Sequence, residues 1–229
     1  MVKYLLFIIA MTCCICCNSF HKYPTVKIRQ SMEKDTLLKS FGISYIDLKG
    51  YKIIHINKRT NCILQPLVPL NKGEDNYFRL RIDKDKNTVY QIDSILSVGE
   101  ILYNSMTMGI IIPITKYQNA DDFSTVGEIQ YFNTDELLSD YIEKNLENSE
   151  AACFDNKGLF CLYMSADTLF AYNISTKEKK SIFFFNNPMM YSVELKLKNN
   201  ILTLIYYPNF VEDFSNFNSA KIITFNYQE

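Results

Sequence analysis

Five short segments of the chain repeat one pattern: Lys52-Ile-Ile-His-Ile-Asn57, Thr88-Val-Tyr-Gln-Ile-Asp93, Glu128-Ile-Gln-Tyr-Phe-Asn133, Thr168-Leu-Phe-Ala-Tyr-Asn173 and Lys221-Ile-Ile-Thr-Phe-Asn226. Each opens on a polar residue and an aliphatic one, passes through two variable positions, and closes on a large apolar residue and Asn or Asp. Their ends fall at 57, 93, 133, 173 and 226, so successive steps are 36, 40, 40 and 53 residues. A period near 40 marks a repeat architecture, in which each unit is one supersecondary element that buries its apolar face only against its neighbours. At 229 residues there is room for about five such units.

The residues around each echo read as further strands. Phe78, Leu80 and Ile82 alternate with Arg79 and Arg81, the period-2 signature of a half-buried strand. Ile43–Leu48, Ile110–Ile114, Leu159–Tyr163 and Ile201–Tyr206 are comparable apolar runs before the other four echoes. Val193–Lys198 turns through Asn199-Asn200, and Ala152–Phe154 turns through Asn156–Gly158, which adds a third strand to two of the units. The 16 Tyr and 16 Phe, with seven Gly and no Trp, favour β structure, and Asn supplies many of the turn positions. One helix is expected over Thr134–Leu146: Thr134 is a candidate N-cap, Asp135 and Glu136 fill the first turn, and Leu137, Leu138, Tyr141, Ile142 and Leu146 share a face.

Repeated antiparallel meanders of this period resemble β-propeller blades, most of all over Asp155–Ser181. The resemblance implies an all-β, propeller-like array of about five meander units with one short helix, and places the echoes as the last strands of successive blades. A sandwich or an irregular barrel of consecutive hairpins is the alternative.

The N-terminus has its own grammar. Lys3 precedes an apolar run from Tyr4 to Met11, and Cys13, Cys14, Cys16 and Cys17 follow within a small-residue region. Through Cys17 the stretch is too short to span a bilayer as a helix and reads as a secretory signal. Cysteines at its end resemble a bacterial lipoprotein signal, in which the first mature residue is a lipidated Cys. Together with the repeat, the chain resembles propeller-like bacterial envelope lipoproteins. The resemblance implies a signal peptide over 1–16, lipidation at Cys17 with Cys13 as runner-up, a spacer or N-terminal strand over 17–36, and a β domain over 37–229. It also implies export to the cell envelope, anchored by lipid to the outer membrane rather than spanning it.

The remaining cysteines are Cys62, Cys153 and Cys161. A three-residue turn with a Gly bulge would set Cys153 opposite Cys161 and permit a disulfide in an oxidising compartment. Two buried free thiols are the competing reading, and a two-residue turn would separate the pair.

Signatures of catalysis are sparse. There is no nucleophile elbow, no Walker or Rossmann glycine pattern and no zinc-protease motif, and only His21 and His55 could serve as imidazole ligands or bases. No cofactor or resident metal is expected. A net charge of −1 without a basic stripe argues against nucleic acid. Asp121-Asp122-Phe123-Ser124 and Glu212-Asp213-Phe214-Ser215 recur in the long connections of the third and fifth units. With Tyr117 and Phe210 beside them, they form candidate binding loops on one face, suited to a sugar or peptide. Inward anchoring of Phe123 and Phe214 is the bland alternative.

Two classes of function follow from these residues: a non-catalytic envelope module that binds a protein, peptide or glycan, or a carboxylate-based hydrolase or lyase. A structural subunit of an envelope assembly is a third. Labelling with a fatty-acid analogue is expected on the native chain and lost on Cys17→Ala. Persistence of the label would move the anchor to another cysteine.

Overall fold

Ile110, Ile111, Ile112 and Ile114 are all fully buried, so the strand carrying them has apolar neighbours on both faces. The surrounding architecture was established from a computed structural model that describes residues 22–33, 52–67, 78–119, 124–147, 151–209 and 220–229. The chain begins with β1 (Thr25–Glu33). An eight-stranded sheet follows, comprising β2 (Lys52–His55), β3 (Thr60–Pro66), β4 (Phe78–Lys84), β5 (Asn87–Val98), β6 (Leu102–Asn104), β7 (Gly109–Asn119), β8 (Ser124–Asn133) and β9 (Leu138–Leu146). A four-stranded meander is formed by β10 (Ala152–Phe154), β11 (Phe160–Ser165), β12 (Thr168–Asn173) and β13 (Glu178–Phe184). Finally β14 (Tyr191–Lys198), β15 (Ile201–Tyr207) and β16 (Lys221–Gln228) make a sheet whose fourth strand is β1.

All pairings are antiparallel, and the described residues contain neither a helix nor a closed barrel. β1 pairs with β16 and is the fourth strand of the last sheet: Thr25 lies opposite Gln228 and Glu33 opposite Lys221. Tyr23, just before β1, contacts the β10–β13 sheet, with its hydroxyl donating to the Glu178 carbonyl at 2.9 Å and its ring 5.3 Å from that of Phe160.

The large sheet is two groups joined by a bend. β5 pairs with β4 from Asn87 as far as Ile95, which also begins the stretch to Val98 that pairs with β7. Ser94, at φ 60°, sits where the strand turns from one partner to the other. Pro113 fits the central β7 because β6 pairs only with Gly109–Ile111 and β5 only with Ile114–Lys116. Its missing N–H therefore falls in the gap, where its carbonyl accepts from the Gly99 N–H at 2.8 Å.

Three cores result. Ile110, Ile112 and Ile114 join Leu64, Leu80 and Phe132 on one side of β7. On the other side, Ile111 joins Ile129, Ile142, Cys161, Tyr163 and Tyr172. The last core lies between the two four-stranded sheets, where Phe225 meets Phe183 and Phe185 edge to face at 5.1 and 6.0 Å. Successive sheets also touch, since β10 meets β6, β7 and β14, while β13 meets β1.

The helix expected over Thr134–Leu146 is not formed. Asn133 Oδ1 accepts from the N–H groups of Asp135 and Glu136 at 2.9 and 3.0 Å, closing a turn that ends at Leu137 (φ 55°). The chain then returns as β9 along β8. An oxygen bonding the N–H groups two and three residues on is what an N-cap does as well, so the local signal suits both outcomes. Ile142 and Leu146 are buried in the core, but Leu137 and Leu138 are 50% and 60% exposed, so the apolar face of the expected helix does not exist.

The cysteine register also differs. Cys153 lies opposite Leu162, and Cys161 opposite Phe154. The turn is one residue longer than expected, because Asp155 accepts the Phe160 N–H through its carboxylate at 2.9 Å and Gly158 takes φ 70°. Cys153 and Cys161 thereby enter different cores, and both are free and buried, as is Cys62. Burial raises all three thiols, Cys62 to about 12, which keeps them protonated and unreactive.

The echoes in β8, β12 and β16 are inner strands, flanked on their far side by β9, β13 and β1, and not the last of their sheets; the other two fall in β2 and β5 of the eight-stranded sheet. Phe225→Ala is expected to cost about 3–5 kcal/mol by opening a cavity in the last core, measurable by urea unfolding. Deleting residues 1–33 bares the edge of β16 and is expected to give aggregation, whereas deleting 1–21 leaves the melting temperature unchanged.

Candidate functional site

Three hairpins share one turn device. Asn104, Asn133 and Asn173 each end a strand, and each Oδ1 accepts from the N–H groups two and three residues later. A residue of positive φ closes each loop: Met108, Leu137 and Lys177. Asparagine acts here through its side chain and not through a left-handed backbone. Asn104 also packs on the β10–β11 turn, where a Cβ at Gly158 would come within 2.5 Å of its amide.

These four turns border a cleft of about 400 Å³ between the large sheet and the β10–β13 sheet. Thr107, Glu136, Gly158 and Ser175 come from the turns, and Leu138, Asp140 and Ile142 come from β9. Tyr131 and Tyr172 form further walls. The phenol end of Tyr131 packs on Gly109, where a Cβ would approach Cε2 to 2.6 Å, so glycine is required for that placement. Thr107 Oγ1 is buried without a hydrogen-bond partner among the described residues.

Two lysines tie the walls together. Lys177 Nζ reaches Asp140 Oδ2 at 2.5 Å, and Lys179 Nζ reaches Glu143 Oε2 at 2.6 Å. Tyr163 also donates to Glu143 Oε2, at 2.8 Å. The Lys177 bond holds Asp140 below the usual carboxylate range against its partial burial. For Glu143, desolvation pushes up most strongly, but Lys179 and Tyr163 together outweigh it and the net shift is downward. Burial raises the Tyr131 and Tyr172 phenols, which remain neutral donors.

A second cleft of about 380 Å³ opens on the other face of β9 and shares Ser139 and Asp140 with the first. Its floor is a closed network: Lys116 pairs with Glu128 Oε1 at 2.8 Å, and Gln130 donates to Glu128 Oε2 at 2.9 Å. Tyr90 donates in turn to Gln130. Tyr90 stacks on Phe132 at 5.1 Å, and burial lifts its phenol to about 12.

Carboxylates with raised values lie elsewhere. Asp155 is raised by burial, although the N–H groups of Phe160, Leu159 and Lys157 oppose this, and it anchors its turn. Glu194 in β14 is likewise raised by burial, against Lys196. Neither lines either of these two clefts. Among the described residues no group of three or more His, Cys, Asp or Glu is placed to hold a metal ion.

The candidate loop residues Asp121, Asp122, Phe123, Phe210, Glu212, Asp213 and Phe214 lie outside the described residues, as do Cys13 and Cys17. Tyr117 is described only as a backbone position of β7, opposite Thr125. The chain leaves β7 at Asn119 and β15 at Tyr207, at the ends of those strands away from the cleft. Asn200, at the other end of β15, is bonded by Asn156 of a cleft turn at 2.7 Å. Tyr131, Asp140, Tyr172 and Lys177 carried no motif. Their only sequence trace was position in or just after two echoes, including the variable site at Tyr131.

No protein-family model matches the chain, and no curated protein is significantly similar to it. Among solved structures, a luciferin-regenerating enzyme is similar at 7% identity and a TM-score of 0.37, covering 89% of this chain and 95% of that one. A likeness at that level carries no functional inference.

Glu143→Ala is expected to cost about 1–3 kcal/mol, because it strands the buried Tyr163 hydroxyl. Carboxylates held low contribute stability above their unfolded values, near 4–4.5. That stability disappears as pH falls through the lower folded values. Urea midpoints should therefore drop on the acid side, and the drop should shrink in a Lys177→Ala, Lys179→Ala double variant.

Proposed function

We infer that this chain is an exported, lipid-anchored, non-catalytic envelope protein that holds a protein, peptide or glycan on a β-propeller-like scaffold. The signal-like N-terminus with its cysteines supports export and anchoring. Supporting the scaffold are the two four-stranded sheets, the contacts of β10 with β6, β7 and β14, and an N-terminal strand that completes the C-terminal sheet. Radial repetition of such sheets leaves only short, protected edges.

One observation carries the binding reading: a cleft of about 400 Å³ whose rim is contributed by four turns of two sheets. That volume lies within the range of ligand sites, and turns on a rigid sheet scaffold are where binding residues concentrate. A hydrolase needs a carboxyl group poised to give a proton near neutral pH. The cleft carboxylate Asp140 is instead held ionised by Lys177. Non-catalytic binding is therefore favoured over hydrolysis.

Immobilised mature chain should retain a saturable component from solubilised envelope extract, separated into protein and polysaccharide fractions. Leu138→Arg, which places a long cation over the cleft at a 60% exposed position, should abolish retention without lowering the melting temperature. Equal retention by the native chain and a folded Leu138→Arg variant would remove the cleft from consideration.

A further inference from the structure

The cleft reading above leaves the ligand class open, and three features of its walls narrow it. The first concerns β9, the open edge of the large sheet. A peptide could add to that edge through main-chain hydrogen bonds. However, the Tyr141 N–H is taken by Asp140 Oδ1 at 2.8 Å, and the Lys144 N–H by Glu143 Oε1 at 3.2 Å. The ladder also breaks register between Gly127 and Ile129, and again between Ile129 and Gln130, where β9 carries the extra residues. Bulges and self-capped amides are the devices by which sheet edges resist strand addition.

Charge is the second feature. Lys177 and Asp140 neutralise each other within the wall, leaving Glu136 as the charged cleft residue outside that pair. Nothing there compensates an anionic ligand. The third is the mixture of surfaces. Tyr131, packed against Gly109, lines the cleft together with Leu138 and Ile142, while the Thr107 hydroxyl is buried with its bonding capacity unused. An apolar ring face next to hydroxyl and carboxylate partners matches a pyranose, whose C–H face is apolar and whose rim is polar.

The geometry points to a short neutral oligosaccharide as the occupant of this cleft, stacked on Tyr131 and hydrogen-bonded by Thr107 and Asp140. The proposal rests on the cleft being the binding site, and its test separates the two claims.

The probes are di- to hexasaccharides of glucose, mannose, galactose, xylose and N-acetylglucosamine, with galacturonic-acid oligomers as anionic controls and a displayed random-peptide library. The chain has no Trp, so tyrosine emission reports binding directly. At least one neutral oligomer should bind saturably below about 10 mM. Tyr131→Leu should weaken it about three- to tenfold, and Thr107→Val about threefold or more. Uronic-acid oligomers should bind more weakly than their neutral counterparts. The absence of binding by every neutral oligomer overturns the proposal, as does unchanged affinity in a Tyr131→Leu variant with native melting. If peptides selected from the library bind and lose binding in Leu138→Arg, the cleft stands and the saccharide class falls. If neither class binds, both readings fall.

Discussion

The apolar run Ile110–Ile114 in β7 is the element on which the rest of the structure depends. Alternation sends Ile110, Ile112 and Ile114 into one core and Ile111 into the next, so one strand is shared by two layers. A run buried on both faces cannot lie at the surface of a sheet, and it forces strands to cover it from either side. The bend of β5 at Ser94 covers one side, and the β10–β13 sheet covers the other. Pro113 belongs to the same solution, because it sits between the stretches of β7 that pair with β6 and with β5.

The turns then place the chemistry. Asparagine at the end of a strand satisfies two loop N–H groups with one oxygen, so each hairpin reverses without glycine. Three hairpins built in this way, together with the Asp155-anchored turn, meet at one end of the sheets. Close approach is reserved for the few glycines available: Gly109 lies under Tyr131, and Gly158 under Asn104. A side chain at either position would move a wall of the cleft.

Both ends of the repeat order could be read early, and several of its details could not. Strand alternation in Phe78–Ile82, the Asn199-Asn200 turn and the apolar runs of β7, β11 and β15 follow directly from period and propensity. Thr134–Leu146 misled because an Asx turn and a helix N-cap use the same bonds, and because Ile142 and Leu146 share a face in either conformation. The cysteine pair misled because one carboxylate, that of Asp155, lengthened a turn by one residue. In a strand, a slip of one residue exchanges the two faces.

The amino-acid sequence by itself determined the all-β class, the antiparallel strand runs and several of the places where the chain reverses. Those properties come from period-2 alternation and from side chains bonding their own backbone, both of which act over a few residues. Only the tertiary structure decided which faces meet, and therefore where the cleft is. Tyr131 and Tyr172 are 41 residues apart in the chain, as Asp140 and Lys177 are 37, and each pair is joined only when two sheets stack. Which lysine finds which carboxylate, and which hydroxyl is left without a partner, depends on the registry between sheets. That registry is set by the cores beneath them and has no local trace in the sequence.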